Sequence, residues 1–215
     1  PSGVALILVD ERGENLISVA PGANAELSPN DVQKARPAID QADVVIMQLE
    51  VPVETVAAAA RIGAESGATV ILNPAPAQEL DHKILKNVTV LTPNETETEL
   101  LTGMSVTSPA KRVEAAQKLR RQGVRTVVIT LGGSGSFLYA GEEGVVVPTA
   151  KIRPVDTTAA GDAFNGALAV ALAEGQDLEQ AVRFANLAGA FAATRLGAQP
   201  SLPTRAEVRS LELSN

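Results

Sequence analysis

The chain has 215 residues, enough for one large domain or two small ones, and 45% apolar against 20% charged residues places it among ordinary globular proteins. A net charge of −7 argues against nucleic acid or a membrane surface as partner, and an aromatic content of 2% offers no platform for stacking bases. Cysteine is absent and His82 is the single histidine, which excludes disulfides, thiolate chemistry and Cys- or His-based metal clusters and argues against a Ser-His-Asp triad.

Chemistry must therefore rest on carboxylates, hydroxyls, amides and backbone N–H groups. No run approaches the roughly 18 apolar residues that span a bilayer, and a reducing cytoplasm is the expected setting. The chain opens at Pro1, with neither an initiator Met nor a signal segment, so further residues are expected to precede it.

In chain order, Val4 to Val9 and Leu16 to Val19 flank the turn Arg12-Gly13-Glu14 and predict a hairpin outside the main sheet. Short β-branched runs then alternate with helical segments. Strands are predicted at Val44 to Met47, Thr69 to Leu72, Val88 to Leu91 and Thr126 to Thr130. Helices are predicted at Val53 to Ser66 after Pro52, at Glu95 to Leu101 before Gly103, and at Pro109 to Gln122 before Gly123. The strands read as continuous apolar runs, which predicts a parallel sheet with helices on both faces. Phe137 to Tyr139 and Val145 to Val147 predict a second hairpin that gives the sheet an antiparallel edge. The last third reads as helices at Gly161 to Glu174, Leu178 to Thr194 and Arg205 to Leu213.

Ligands of open parallel sheets bind beyond the carboxyl ends of the strands. Those positions carry Glu50, Asn73-Pro74-Ala75-Pro76, Thr92-Pro93-Asn94-Glu95 and Thr130-Leu131-Gly132-Gly133-Ser134-Gly135. Each loop taken alone is equally well explained by turn chemistry. The richest segment runs from Asp156 to Gly166. There Ala159, Ala160 and Gly161 precede a helical stretch, so free N–H groups and the helix dipole favour an anion. Asp162, in that first turn, reads either as a capping carboxylate or as a base. A helix start that already forms an anion hole needs a carboxylate only if something there has a proton to lose, and a phosphoryl-accepting hydroxyl is such a group.

The segments DTTAAGDAFNGA (156–167), TPNETE (92–97), NPAPA (73–77), TLGGSG (130–135) and GAQPS (197–201) together resemble the ribokinase-like carbohydrate kinases of the phosphofructokinase-B type, over essentially the whole chain. The resemblance implies a doubly wound, mostly parallel α/β sheet with helices on both faces, lacking the N-terminal strands and most of the lid sheet. Residues 1–20 would be a remnant of the lid, and residues 21–215 the nucleotide-binding and catalytic domain. The implied activity is transfer of the ATP γ-phosphoryl group to a primary hydroxyl of a pentose, D-ribose giving ribose 5-phosphate. The alternatives are a kinase for another sugar or nucleoside, or a non-catalytic nucleotide-binding piece; the chain alone, if truncated, is expected to be inactive.

The same resemblance makes Asp162 the catalytic base and Ala159, Ala160, Gly161 and Asp162 the anion hole, with Glu50 beside the sugar. It gives Asn94, Thr130, Leu131, Gly132, Gly133, Ser134, Gly135, Gly161, Asp162 and Asn186 to the nucleotide, and Asn94 with Glu97 to Mg²⁺, mainly through water. A K⁺ ion would be held by Asp156, Thr158, Ala192, Arg195, Gly197 and Ser201. The implied partners are a sugar and a nucleotide, with a homodimer formed through the lid. The basic cluster Lys111, Arg112, Lys118, Arg120 and Arg121 reads as a solvated helix face, and His82 as an exposed loop residue.

Overall fold

The computed structural model describes residues 1–9, 15–141 and 143–213, with β1 (Val4–Val9), β2 (Asn15–Ala20), α1 (Pro29–Lys34), α2 (Arg36–Ile39), β3 (Val44–Met47), α3 (Val53–Glu65), β4 (Thr69–Leu72), α4 (His82–Leu85), β5 (Val90–Leu91) and α5 (Glu95–Thr102). There follow α6 (Pro109–Arg121), β6 (Thr126–Thr130), β7 (Ser136–Tyr139), β8 (Gly144–Val147), α7 (Ala160–Ala173), α8 (Leu178–Ala192) and α9 (Arg205–Leu213). The sheet is six-stranded in the order β3-β4-β5-β6-β7-β8, with β3 to β6 parallel. Only four or five residues separate β6, β7 and β8, too few for a parallel crossover, so the sheet ends in an antiparallel meander. An α/β architecture with a mostly parallel sheet is what the alternating pattern predicts.

β1 and β2 form a separate antiparallel pair, Val4 opposite Ala20 and Val9 opposite Asn15. The turn Arg12-Gly13-Glu14 lies outside the described residues.

By its internal contacts the chain divides into two units, residues 1–2, 21–131 and 137–146 in one and residues 3–20, 132–136 and 147–215 in the other. The first is built on a core of Leu72, Leu91, Ile129, Leu85, Leu119 and Val56. Each such side chain, fully removed from water, contributes roughly 1.5–3 kcal/mol. Its helices start as their sequences require: Ser108 caps α6 with Pro109 in the first turn, and Gly103 ends α5 in the left-handed conformation. In the second unit α7 and α8 pack along one another, and α9 closes on them through Val208, which is buried with Ala150, Leu187 and Ala188.

β3 is the edge strand of the sheet among the described residues, and its Ile46 is 46% exposed. Residues 29–39, unassigned above, form α1 and α2, and the signal was present in Ser28, whose hydroxyl accepts the Asp31 N–H while the Asp31 carboxylate accepts the Ser28 N–H, with Pro29 at the first helical position. His82 opens the one-turn helix α4 rather than lying in a loop; its side chain is exposed, as expected.

Candidate active site

The first turn of α7 has no side-chain cap. Its N-cap, Ala159, sits at φ 59°, left-handed backbone that an alanine adopts at a cost of about 1–3 kcal/mol. The turn is fastened by the Ala160 N–H to the Thr157 carbonyl at 3.2 Å and the Ala163 N–H to the Ala159 carbonyl at 2.9 Å. The N–H groups of Gly161 and Asp162 bond to no described residue, so they point their dipoles at whatever lies before the helix. Gly161 has open space where a Cβ would be. The Asp162 carboxylate is exposed and has no ion pair or hydrogen bond to a described residue. An anion-binding backbone and an unpaired carboxylate thus share one helical turn, which is what proton removal beside a phosphoryl group needs.

Asp156, 3% exposed, lies just upstream. Its Oδ1 accepts the Thr158 N–H at 2.9 Å and its Oδ2 the Gly197 N–H at 2.8 Å. Thr158 beside it and these backbone N–H groups hold the carboxyl below its ordinary value, so it is charged at neutral pH. It forms no ion pair with a described residue; the buried Thr158 Oγ1 lies close enough to be the chief cause of that lowering, although its geometry to any described acceptor is poor for a hydrogen bond. The loop after α8 meets this segment where the Val155 N–H bonds to the Ala193 carbonyl, and is held within itself by the Arg195 N–H on the Ala192 carbonyl and the buried Ser201 Oγ on the Ala198 carbonyl. Buried charges are paired or hold metal ions. The buried Asp156 carboxylate and the buried Thr158 hydroxyl beside it are hard oxygen donors of the kind a monovalent cation takes. Among the described residues no group of three or more acidic or His side chains forms a conventional metal cluster.

Gly132 to Ser134 form one turn of 3-10 helix. Gly135 follows at φ 88°, and a Cβ there would stand 2.2 Å from the Val147 carbonyl oxygen. Gly132 and Gly133 face open space. Asn186 is buried, with its amide donating to the Val147 carbonyl at 2.8 Å and its own carbonyl accepting from Thr149 Oγ1 at 2.9 Å. It fastens α8 to the segment 147–149, a role that residue type alone did not announce.

In the other unit, Asn94 caps α5: its Oδ1 accepts the Glu97 N–H at 2.7 Å and its own N–H donates to Glu97 Oε2 at 2.8 Å. The capping reading of Asn94 is thus correct whatever else it does. Glu97 is 6% exposed, and burial pushes its carboxyl above the ordinary value despite the hydrogen bond from Asn94. Its second carboxylate oxygen bonds to no described residue, leaving one acceptor for a hydrated cation such as Mg²⁺. Asn94 and Thr130 are brought together by a parallel bridge, with the Thr130 N–H on the Pro93 carbonyl at 2.9 Å, and Leu131 follows, buried. Glu50 is exposed, and its N–H donates to Gln48 Oε1. Of the basic cluster, Arg112, Lys118 and Arg120 donate to the carbonyls of Val106, Thr102 and Gly141, so these three pin loops.

Residues 1–205 match the family model described as pfkB family carbohydrate kinase. The chain belongs to this family. Among pfkB relatives, it is 42% identical to a ribokinase of Haemophilus influenzae, covering 96% of this chain and 67% of that one, and 39% identical to a deoxyribokinase of Salmonella typhimurium, covering 94% and 67%. The crystal structure of a ribokinase from Thermotoga maritima superposes with a TM-score of 0.88 at 42% identity, over 100% of this chain and 70% of that one. The Arabidopsis thaliana ribokinase complexed with ribose and ATP gives 0.87 at 32% identity, over 98% and 69%. The chain thus spans about two thirds of the length of these pfkB proteins and shares their fold throughout.

Proposed function

We propose that the protein transfers the γ-phosphoryl group of ATP to a primary hydroxyl of D-ribose, giving ribose 5-phosphate and ADP. The observation that carries this reading is the exposed Asp162 carboxylate, unpaired among the described residues, in a helical turn with two N–H groups that bond to none of them. The names of the relatives support the substrate, and the deoxyribokinase among them makes 2-deoxyribose the competing acceptor. Asp162 accepts the proton as the hydroxyl oxygen bonds to the γ-phosphorus; the bridging bond to the β-phosphate breaks, and ADP leaves with the electron pair. The N–H groups of Gly161 and Asp162 hold the phosphoryl oxygens as charge shifts among them.

We assign Glu50 to a sugar hydroxyl, Thr130 to Gly135 and Asn186 to the nucleotide, and Asn94 with Glu97 to Mg²⁺ through water. When bound, Mg²⁺ neutralises phosphate charge. K⁺, held by Asp156, Thr158, Ser201 and the carbonyls of Ala192, Arg195 and Gly197, balances the buried Asp156. The cytoplasm is the setting that a cysteine-free kinase of small metabolites suits. We also assign residues 1–20 to a lid and residues 21–215 to the catalytic domain. Val4, Leu6 and Leu8, alternate residues on one face of β1, are 59%, 69% and 68% exposed, which supports a homodimer formed through that lid.

The test is ADP release, by the full reading frame that contains this chain, with ribose, 2-deoxyribose, other pentoses, hexoses and nucleosides, run beside Asp162→Asn in the same protein. Ribose is expected to be the best acceptor. The variant is expected to lose about 10² to 10⁴ in kcat while binding nucleotide as before. Surviving turnover in the variant removes Asp162 from the reaction, and preference for another acceptor replaces ribose.

A further inference from the structure

Arg195 leaves the end of α8 with its guanidinium 4.5 Å from the Phe191 ring centroid and its Nη2 2.7 Å from Glu207 Oε1. Glu207 belongs to the first turn of α9, where its Oε2 accepts both the N–H and the hydroxyl of Thr204, each at 2.8 Å. Both carboxylate oxygens are therefore engaged, one by each end of the segment 195–204. These contacts, with that from Arg195, hold the Glu207 carboxyl at about 2, so the pair is charged at every ordinary pH. The same first turn is fixed elsewhere: Arg205 pairs with Glu174 just beyond α7 and lies 5.6 Å from the Phe184 ring centroid. Two residues from Arg195, the Gly197 N–H reaches Asp156, with Gly197 at φ 87°.

We propose that Arg195 and Glu207 are positioning residues: their ion pair bridges the chord of the 195–204 segment and so holds the Gly197 N–H on Asp156. The bonds of the Arg195, Ser201 and Leu202 N–H groups are local, to Ala192, Ala198 and Gln199, and the Gly197 N–H ties the segment to Asp156; an ion pair joining its two ends removes further alternatives. Partly exposed ion pairs add little to global stability, so the pair's effect belongs in local order rather than in Tm. The pair itself needs no ligand. Its effect on K⁺ rests on the cation reading given above, and the two are tested by different readouts.

Hydrogen exchange of the whole protein is the primary measurement. In Glu207→Gln and in Arg195→Met, amides of residues 194–201 are expected to exchange at least about threefold faster, with those of α3 unchanged and Tm within a few degrees. Unchanged exchange in both single variants overturns the proposal, as does loss of protection spread evenly over the protein. The second readout is the rise in Tm with KCl over NaCl. The midpoint of this rise is expected to move to higher K⁺ concentration in each single variant. If the unsubstituted protein shows no preference for K⁺, the cation reading fails and the exchange result still decides the clamp. A preference for K⁺ whose midpoint the variants leave in place, with exchange accelerated, confines the clamp to ordering the loop and overturns its reach to the ion.

Discussion

Gly189 of α8 meets Ala160 of α7 so closely that a Cβ on Gly189 would stand 3.0 Å from the Ala160 carbonyl oxygen and 3.5 Å from the Phe164 Cβ. The residue that opens the anion-binding turn is therefore seated against a position where only hydrogen fits comfortably. Gly189→Ala gains about 0.5–1 kcal/mol of helix propensity and loses about 1–3 kcal/mol to overpacking, so the protein should still fold. The displaced Ala160 should show instead in turnover. We expect kcat to fall about 10-fold with nucleotide affinity little changed, since small misplacements weigh on catalysis. Steady-state kinetics beside a nucleotide titration checks this, and an unaltered kcat would separate Gly189 from the site.

The glycine loop offers a paired test. Gly133 faces open space, whereas Gly135 combines φ 88° with a Cβ position 2.2 Å from the Val147 carbonyl oxygen. Gly135→Ala should destabilise the protein by about 2 kcal/mol or more, because strain and collision add. Gly133→Ala should leave Tm within a few degrees yet weaken nucleotide binding about 10-fold, if the loop lies against the nucleotide. Calorimetric titration decides: full affinity in Gly133→Ala takes the loop off the nucleotide.

Asp156→Ala removes the acceptor of two backbone N–H groups, those of Thr158 and Gly197. Each unpaired buried donor costs about 1–3 kcal/mol. The Asp156 carboxyl is held low, so its contribution is fully present above its ordinary value of 3.8 and is lost as pH falls through the lowered one. The deficit of the variant in denaturant titrations should be largest near neutrality and shrink only in strong acid. The difference between KCl and NaCl should vanish in the same variant.

Glu97 carries the opposite sign. Burial raises its carboxyl above 4.5, so the associated stability is fully present below that value and lost as pH rises through the raised one. Glu97→Gln keeps an acceptor for the Asn94 N–H and removes the ionisation. Relative to the unsubstituted protein, its Tm should climb as pH rises above 4.5. A difference that stays flat across that range would show that the carboxyl does not titrate there.

Much of this was legible beforehand where the chain's own chemistry is local. The strands at 44–47, 69–72 and 126–130 and the capped helices follow from apolar runs bounded by Pro, Ser and Gly. The loops bearing the candidate residues follow from where strands end. Long-range commitments were not legible. Nothing in Ala159-Ala160-Gly161 says that the alanine, rather than the glycine, takes the left-handed backbone. Nothing in Asn186 distinguishes an amide that faces a ligand from one bonded to the Val147 carbonyl. Arg195 and Glu207 are ordinary surface charges in sequence, and only the approach of α9 to the end of α8 pairs them.

The strand order has a consequence for synthesis. Val44 pairs with Thr69, Ile71 with Val90 and Val90 with Thr126, so each strand finds its neighbour in the one translated immediately before it. No pairing among β3 to β6 waits for a distant segment. A nascent chain can extend this sheet strand by strand as it leaves the ribosome, each completed edge serving as the template for the next.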